Sequence, residues 1–242
     1  MGNPGPNILK LGLNDLAQAP NTPGIYAWYA ELRVGPMDLA RRVDPSTLED
    51  EGERSFRQLL AQHSTRYSPP TLEVTARAAF GSNYMGELSS TLPDLFRQKV
   101  EEGRDKKGRV IASTMKGESS RKALAEVLEQ ASPIFASPIY IGTSEKLRQR
   151  LCKHRNEMED LADLVAEDPS RGEDVRARAR SSDATFAQRA VALDFKPDHL
   201  VVHVLPVDRV VTGNLSADSL NRLAQAAEWF LNRWHRPLAG KL

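Results

Sequence analysis

The chain has 242 residues, enough to bury an apolar core without a disulfide or metal staple. Its 33 Lys plus Arg against 32 Asp plus Glu leave a formal net charge of +1, which excludes a strongly basic nucleic-acid coat and leaves any such contact to local clusters. A single cysteine, Cys152, excludes an internal disulfide and a cysteine-based zinc site, and the absence of a run of about 18 apolar residues excludes a membrane span. The opening "MGNPGPNILK" lacks the apolar stretch of a secretory signal, so a reducing cytoplasm is the expected compartment.

The first expected strand is "PGIYAWYAELR", where Ile25, Tyr26, Ala27, Trp28 and Tyr29 form a β-rich run ending near Arg33. "STLEDEGERSFRQLLAQHSTR" predicts a helix starting at Ser46, with Phe56, Leu59 and Leu60 on its apolar side. "GSNYMGELSSTLPD" reads as a flexible stretch, "LPDLFRQKVEEG" as a short helix closed by Gly103, "RDKKGR" as an exposed turn and "SSRKALAEVLEQ" as a further helix.

"SPIYIGTS" is the second expected strand. It is expected to break at Gly142 into a helix whose exposed positions carry Lys146, Arg148, Arg150, Lys153, His154 and Arg155. After "DPSRGED", read as a connection, "DATFAQRAVALDF" predicts a helix with Asp183 as N-cap and Phe186, Ala190 and Leu193 on one face. "HLVVHVLPV" holds four valines and two leucines in nine residues and is the third expected strand. Leu220, Leu223, Ala227, Phe230, Leu231 and Trp234 then recur at helical spacing from about Ser216 until "RPL" stops the helix.

Charge is segregated. Acid gathers in "LEDEGE" and "EMEDLADLVAED", base in "RDKKGR", "RARAR" and the helix after Gly142. His199 and His203 alternate with apolar residues and lack an obvious metal partner, so they read as structural. Cys152 has no His and Asn arrangement around it that would support a thiol mechanism.

Gly24, Ile25 and Tyr26 read GIY in the first strand, and Tyr140, Ile141 and Gly142 read YIG in the second. Arg150 lies on the helix just after YIG, His154 follows one turn later, and Glu228 stands in a late helix that ends near a proline. In this order and combination the chain resembles the GIY-YIG nucleases over half of its length. The resemblance implies a metal-dependent endonuclease that hydrolyses phosphodiester bonds in double-stranded DNA, with Mg2+ or Mn2+ as cofactor. It assigns Tyr26, Tyr140, Arg150, His154 and Glu228 to the catalytic site, with Glu228 as the metal ligand. Two features depart from the family pattern. GIY and YIG are usually joined by a short connection, whereas Tyr26 and Tyr140 here stand more than a hundred positions apart. A strand pair tolerates this, because loop-closure cost grows only logarithmically with length. Many members also carry an Asn where this chain has Gly240.

The residue types suit the chemistry independently of the family. Phosphodiester hydrolysis needs a positioned water, a proton acceptor, and positive charge at the phosphate and leaving oxygen. Arg150 keeps its charge and can fork onto two phosphate oxygens, while Glu228 is a hard oxygen ligand suited to Mg2+. A phenol is a poor base unless cations favour its phenolate, a field expected from Arg150, His154 and the metal. The resemblance makes Tyr26 the general base and Tyr140 the group that positions phosphate or water.

The expected fold is α/β: a small GIY-YIG-type three-stranded antiparallel sheet flanked by helices, with a large, mostly helical insertion between its first two strands. Residues 1–34 and 136–242 would form the nuclease core and residues 35–135 the insertion, a helical lobe that grips substrate. Lys106, Lys107 and Arg109 in the insertion, and Lys146, Arg148 and Lys153 after YIG, are the expected nucleic-acid contacts. The alternative is a protein that retains the fold and binds nucleic acid, or acts as a scaffold, with weakened catalysis. RNA is a weaker alternative substrate.

Overall fold

A computed structural model of the chain describes residues 8–67, 72–77, 81, 83–88, 106–179, 181, 183–235 and 237–240. In chain order the elements are β1 (Leu9–Gly12), β2 (Gly24–Ala30), α1 (Pro36–Leu39), α2 (Glu51–Arg66), β3 (Leu72–Arg77), β4 (Asn83–Leu88), α3 (Lys106–Met115), α4 (Glu118–Phe135), β5 (Tyr140–Ser144), α5 (Leu147–Glu167), α6 (Arg171–Ala179), α7 (Phe186–Ala192), β6 (Leu200–Pro206) and α8 (Ala217–His235). The chain divides into two compact units, Met1–Glu31 with Ala131–Leu242, and Leu32–Gln130.

The first unit is built on an antiparallel sheet in the order β1-β6-β2-β5. The sheet thus has four strands rather than the expected three. The added strand, β1, pairs Leu9 with Val204 and Gly12 with Val201, and is only four residues long, too short for its alternation to stand out after a Gly- and Pro-rich opening. Alternation along β2 sends Ile25 and Ala27 to one face and Tyr26 and Trp28 to the other. On the first face Ile25, Ile141, Val207 and Ala224 form a core with Leu220, Ala227 and Leu231 of α8. On the second, Trp28 is fully buried and its ring stacks on Phe186 of α7 at 5.5 Å. α5 buries the stripe Leu147, Leu151, His154 and Met158, whose spacing of four, three and four is that of one helix face.

Two expectations about local structure need correction. Gly142 does not end its strand, because β5 continues to Ser144. Nor does Asp183 cap α7. Thr185 does so through a reciprocal capping box, its Oγ1 accepting from the Gln188 N–H at 3.2 Å and its own N–H donating to Gln188 Oε1 at 2.9 Å.

The second unit is not purely helical. β3 and β4 form an antiparallel hairpin from Leu72↔Leu88 to Arg77↔Asn83, so Asn83–Leu88, expected as part of a flexible stretch, is strand. Lys106–Arg109, expected as a turn, opens α3 instead. The expected helix at 92–103 lies outside the described residues. Ser46 precedes α2 without capping it; Asp50 Oδ1 accepts from the Gly52 N–H at 3.0 Å and supplies the cap. Phe56 and Met115 are fully buried and pack with Val34, Leu39, Leu60, Ile111, Leu124 and Ala125. Arg121 is also fully buried: Nε donates to the Leu39 carbonyl at 3.0 Å, and Nη1 donates to Asp50 Oδ2 at 3.0 Å and to the Met115 carbonyl at 2.9 Å.

Candidate active site

β2 and β5 pair so that Trp28 faces Tyr140 and Tyr26 faces Gly142. The empty side of Gly142 is where the Tyr26 phenol lies. A Cβ at Gly142 would stand 2.6 Å from Tyr26 Oη and 2.7 Å from Tyr140 Cε1, so glycine is required there for close approach, not to turn the chain. The two tyrosine rings consequently sit with centroids 6.1 Å apart.

α5 then supplies two partners for Tyr26 from consecutive turns. Tyr26 Oη lies 2.9 Å from His154 Nε2, and Arg150 Nε donates to the same oxygen at 3.4 Å. Tyr26 and His154 are each about 1% exposed, and Arg150 is half-buried. His154, expected on the exposed side of its helix, is therefore on the buried side. Phe186 closes the cluster, with its ring edge-on to His154 at 5.2 Å and tilted against Tyr140 at 4.8 Å. The sequence placed Phe186 only on the apolar side of its own helix, and nothing in a lone pattern of apolar spacing distinguishes an aromatic that packs on a site from one that packs elsewhere.

Burial sets the charge states. It pushes the Tyr26 phenol well above its ordinary value, Tyr140 reinforces the shift, and Arg150 only partly offsets it. The Tyr140 phenol is also raised, by burial and then by the Glu228 carboxylate. Burial, followed by Arg150 and Lys153, lowers His154 to about 3, so its imidazole is neutral at physiological pH. His154 thus adds no charge to the expected cationic field on Tyr26, to which Arg150 does contribute, and in the metal-free protein Tyr26 is a phenol. With the proton of the neutral imidazole on Nδ1, Nε2 presents a lone pair to the Tyr26 O–H; Nδ1 itself has no hydrogen-bond partner among the described residues.

Glu228 is carried by α8, which packs on β5 and β2. Its Oε2 accepts a hydrogen bond from Thr143 Oγ1 at 2.8 Å, a partner that the sequence reading missed although Thr143 directly follows YIG. Among the described residues, no group of three or more His, Cys, Asp or Glu side chains comes together as a metal cage. A single carboxylate nevertheless suits Mg2+, which keeps several waters and takes phosphate oxygens as its remaining ligands.

The other expected contacts are distributed more loosely. Lys146 is exposed just before α5, where its N–H donates to Ser144 Oγ at 3.0 Å. Arg148 is exposed, although Nε donates to the Ala19 carbonyl at 2.8 Å, and Lys153 pairs with Glu157 at 3.7 Å. Lys106 and Arg109 are exposed on α3 of the second unit, to which Lys107 also belongs. Gly240 offers no side-chain polar atom; its carbonyl accepts from Arg189 Nη1 at 2.7 Å, and the neighbouring Ala239 N–H donates to the Ile139 carbonyl at 2.7 Å. No helix of the described residues is long and apolar enough to cross a membrane. No family model, curated protein or solved structure matches the chain.

Proposed function

We propose that this chain is a GIY-YIG-type endonuclease that hydrolyses phosphodiester bonds in double-stranded DNA with Mg2+ or Mn2+. The observation that carries the reading is the convergence on one oxygen: Tyr26 Oη meets Arg150 and His154, which lie 124 and 128 positions away in the chain. A structural tyrosine needs one partner to satisfy its hydroxyl; this one is buried between a fixed cation and a neutral base.

In this reading the half-buried Arg150 guanidinium neutralises the scissile phosphate with the N–H groups that Tyr26 does not take. Tyr26 is the candidate general base: once its own proton has left to solvent, its phenolate, favoured by Arg150 and by a cation that Glu228 would hold, takes the proton of the attacking water, while the neutral His154 imidazole orients the Tyr26 oxygen through Nε2. Tyr140, on the neighbouring strand β5 with its ring 6.1 Å from that of Tyr26, orients the phosphate or the water. Glu228 would hold the cation, whose chemistry is to stabilise the developing charge on phosphate and leaving oxygen. Lys146, Arg148 and Lys153 line the start of α5 and supply contacts to flanking phosphates.

A second reading, a nucleic-acid-binding or scaffold protein with weakened cleavage, is favoured by Gly240, which leaves one polar group of the family pattern without a counterpart. Incubating supercoiled plasmid with the parent chain, Arg150→Ala and Glu228→Gln, in Mg2+ or in EDTA, separates the two. Metal-dependent nicking or linearisation lost in both variants is the expected result. DNA retardation without any cutting by the parent would replace the nuclease by the binder.

A further inference from the structure

Glu228 is not a loose helix carboxylate. Thr143 Oγ1 donates to Oε2 at 2.8 Å, whereas Oε1 has no hydrogen-bond donor among the described residues. Thr143 itself is held by the sheet, where it pairs with Ile25 of β2. A hydroxyl has one proton to give; directed at Oε2, it sets the rotation of the carboxylate and leaves Oε1 as the uncommitted oxygen.

We propose that Thr143 is the positioning residue of a divalent-cation site at Glu228, holding Oε2 so that Oε1 is presented to the metal. The inference rests on the metal-binding role proposed above for Glu228. It explains why a hydroxyl should stand at this register. α8 does not depend on the Thr143 bond to dock, because Asn221, two turns before Glu228 on the same helix, donates Nδ2 to Glu145 Oε1 at 2.8 Å. Ile25, Ile141, Ala224 and Leu231 bury the apolar contact between sheet and helix. The Thr143 hydroxyl adds orientation to a carboxylate that packing has already delivered. A hard cation bound by one protein carboxylate is sensitive to that orientation, since no second side chain compensates for a rotated ligand.

The test is Mn2+ binding to the full chain, followed by the electron paramagnetic resonance of free Mn2+, with thermal unfolding recorded for every variant. Thr143→Val removes the hydroxyl at nearly constant shape, and Thr143→Ser restores it. Glu228→Gln removes the ligand charge, and Asn221→Ala deletes a comparable bond from α8 without touching Glu228. The expected result is a site lost in Glu228→Gln, weakened about 10- to 100-fold in Thr143→Val, and kept in Thr143→Ser and Asn221→Ala even if the latter melts earlier. Parental affinity in Thr143→Val would overturn the role of Thr143 and leave Glu228 as a ligand. Equal weakening in Thr143→Val and Asn221→Ala would also overturn it, by assigning the bond to helix docking. No Mn2+ binding by the parent, or undiminished binding by Glu228→Gln, would remove the metal site itself and this inference with it.

Discussion

Tyr26 Oη and His154 Nε2 lie 2.9 Å apart at the buried end of a hydrogen-bonded chain that begins at Arg150. The pair joins a strand and a helix across 128 positions of sequence, and neither residue is accessible enough to be an incidental surface contact. If Tyr26 takes the proton of the attacking water, Tyr26→Phe should keep the fold and DNA affinity and lose about 10²- to 10⁴-fold in cleavage rate. Single-turnover cleavage of a labelled duplex measures this directly, and a phenylalanine variant that cuts as fast as the parent would end the assignment.

The neutral state of His154 has a consequence for stability. Its folded value, about 3, lies below the ordinary 6.5, so between those limits the unfolded chain binds more protons than the folded one. The contribution is fully present above about pH 6.5 and is lost towards pH 3, at about 1.4 kcal/mol per pH unit within the window. His154→Gln removes the titration and retains polar groups towards Tyr26. Urea unfolding of both proteins at pH 7, 6, 5 and 4.5 should show the parent losing stability more steeply on the acid side. Parallel curves would mean that His154 titrates normally in the fold.

Three of the sheet's four strands, and the residues Tyr26, Tyr140, Arg150 and His154 that cluster beside it, are legible in the sequence, and the rest has identifiable causes. β2, β5 and β6 are β-rich runs bounded by turn residues, and α8 has a sustained helical period, so their signals are local and strong. β1 is a four-residue edge strand whose placement depends on β6, nearly two hundred positions later. The glycine of YIG reads in the sequence as a strand break; only the β2–β5 register reveals that the phenol of Tyr26 occupies the space over it. The helix face of His154 is not legible in the sequence, because the basic residues around it mask an apolar stripe in which it replaces a hydrophobe. Thr143 and Phe186 act through contacts between elements, which spacing within one element does not encode.

Gly142→Ala tests the close-approach reading of that glycine. The added methyl carbon would stand 2.6 Å from Tyr26 Oη, inside van der Waals contact, and no exposed flexible chain end is there to yield. The expected cost is about 1–3 kcal/mol, typical of overpacking, with cleavage impaired beyond the loss of folded protein because the phenol must move. Urea unfolding and the cleavage rate of the folded fraction report the two effects separately. An alanine variant of unchanged stability would show that the tyrosines yield freely.

Arg121→Met tests the polar centre of the second unit. The substitution fills similar space but leaves the Asp50 carboxylate and the Leu39 and Met115 carbonyls without their buried donor. A loss of about 3–5 kcal/mol is expected, because the uncompensated partner, more than the lost pair, sets the cost. Asp50→Asn added to Arg121→Met should recover part of this, since it removes the stranded charge while an amide oxygen still caps α2. A double variant no more stable than Arg121→Met would place the cost on the two carbonyls.

The basic start of α3 separates binding from folding most cleanly. Lys106 and Arg109 are exposed three positions apart, hence on one side of the first turn, with no acidic residue in that turn to complement the helix dipole. Cations there cost the helix a few tenths of a kcal/mol, about 0.3 or more each, and would be compensated by a phosphate that meets the side chains. Reversing Lys106, Lys107 and Arg109 to Glu should therefore raise or preserve thermal stability while weakening duplex DNA binding. The dependence of log affinity on log salt should flatten by about 0.9 for each phosphate contact removed. Fluorescence anisotropy of a labelled duplex at several salt concentrations gives both quantities; unchanged affinity and slope would take this helix out of the DNA-binding surface.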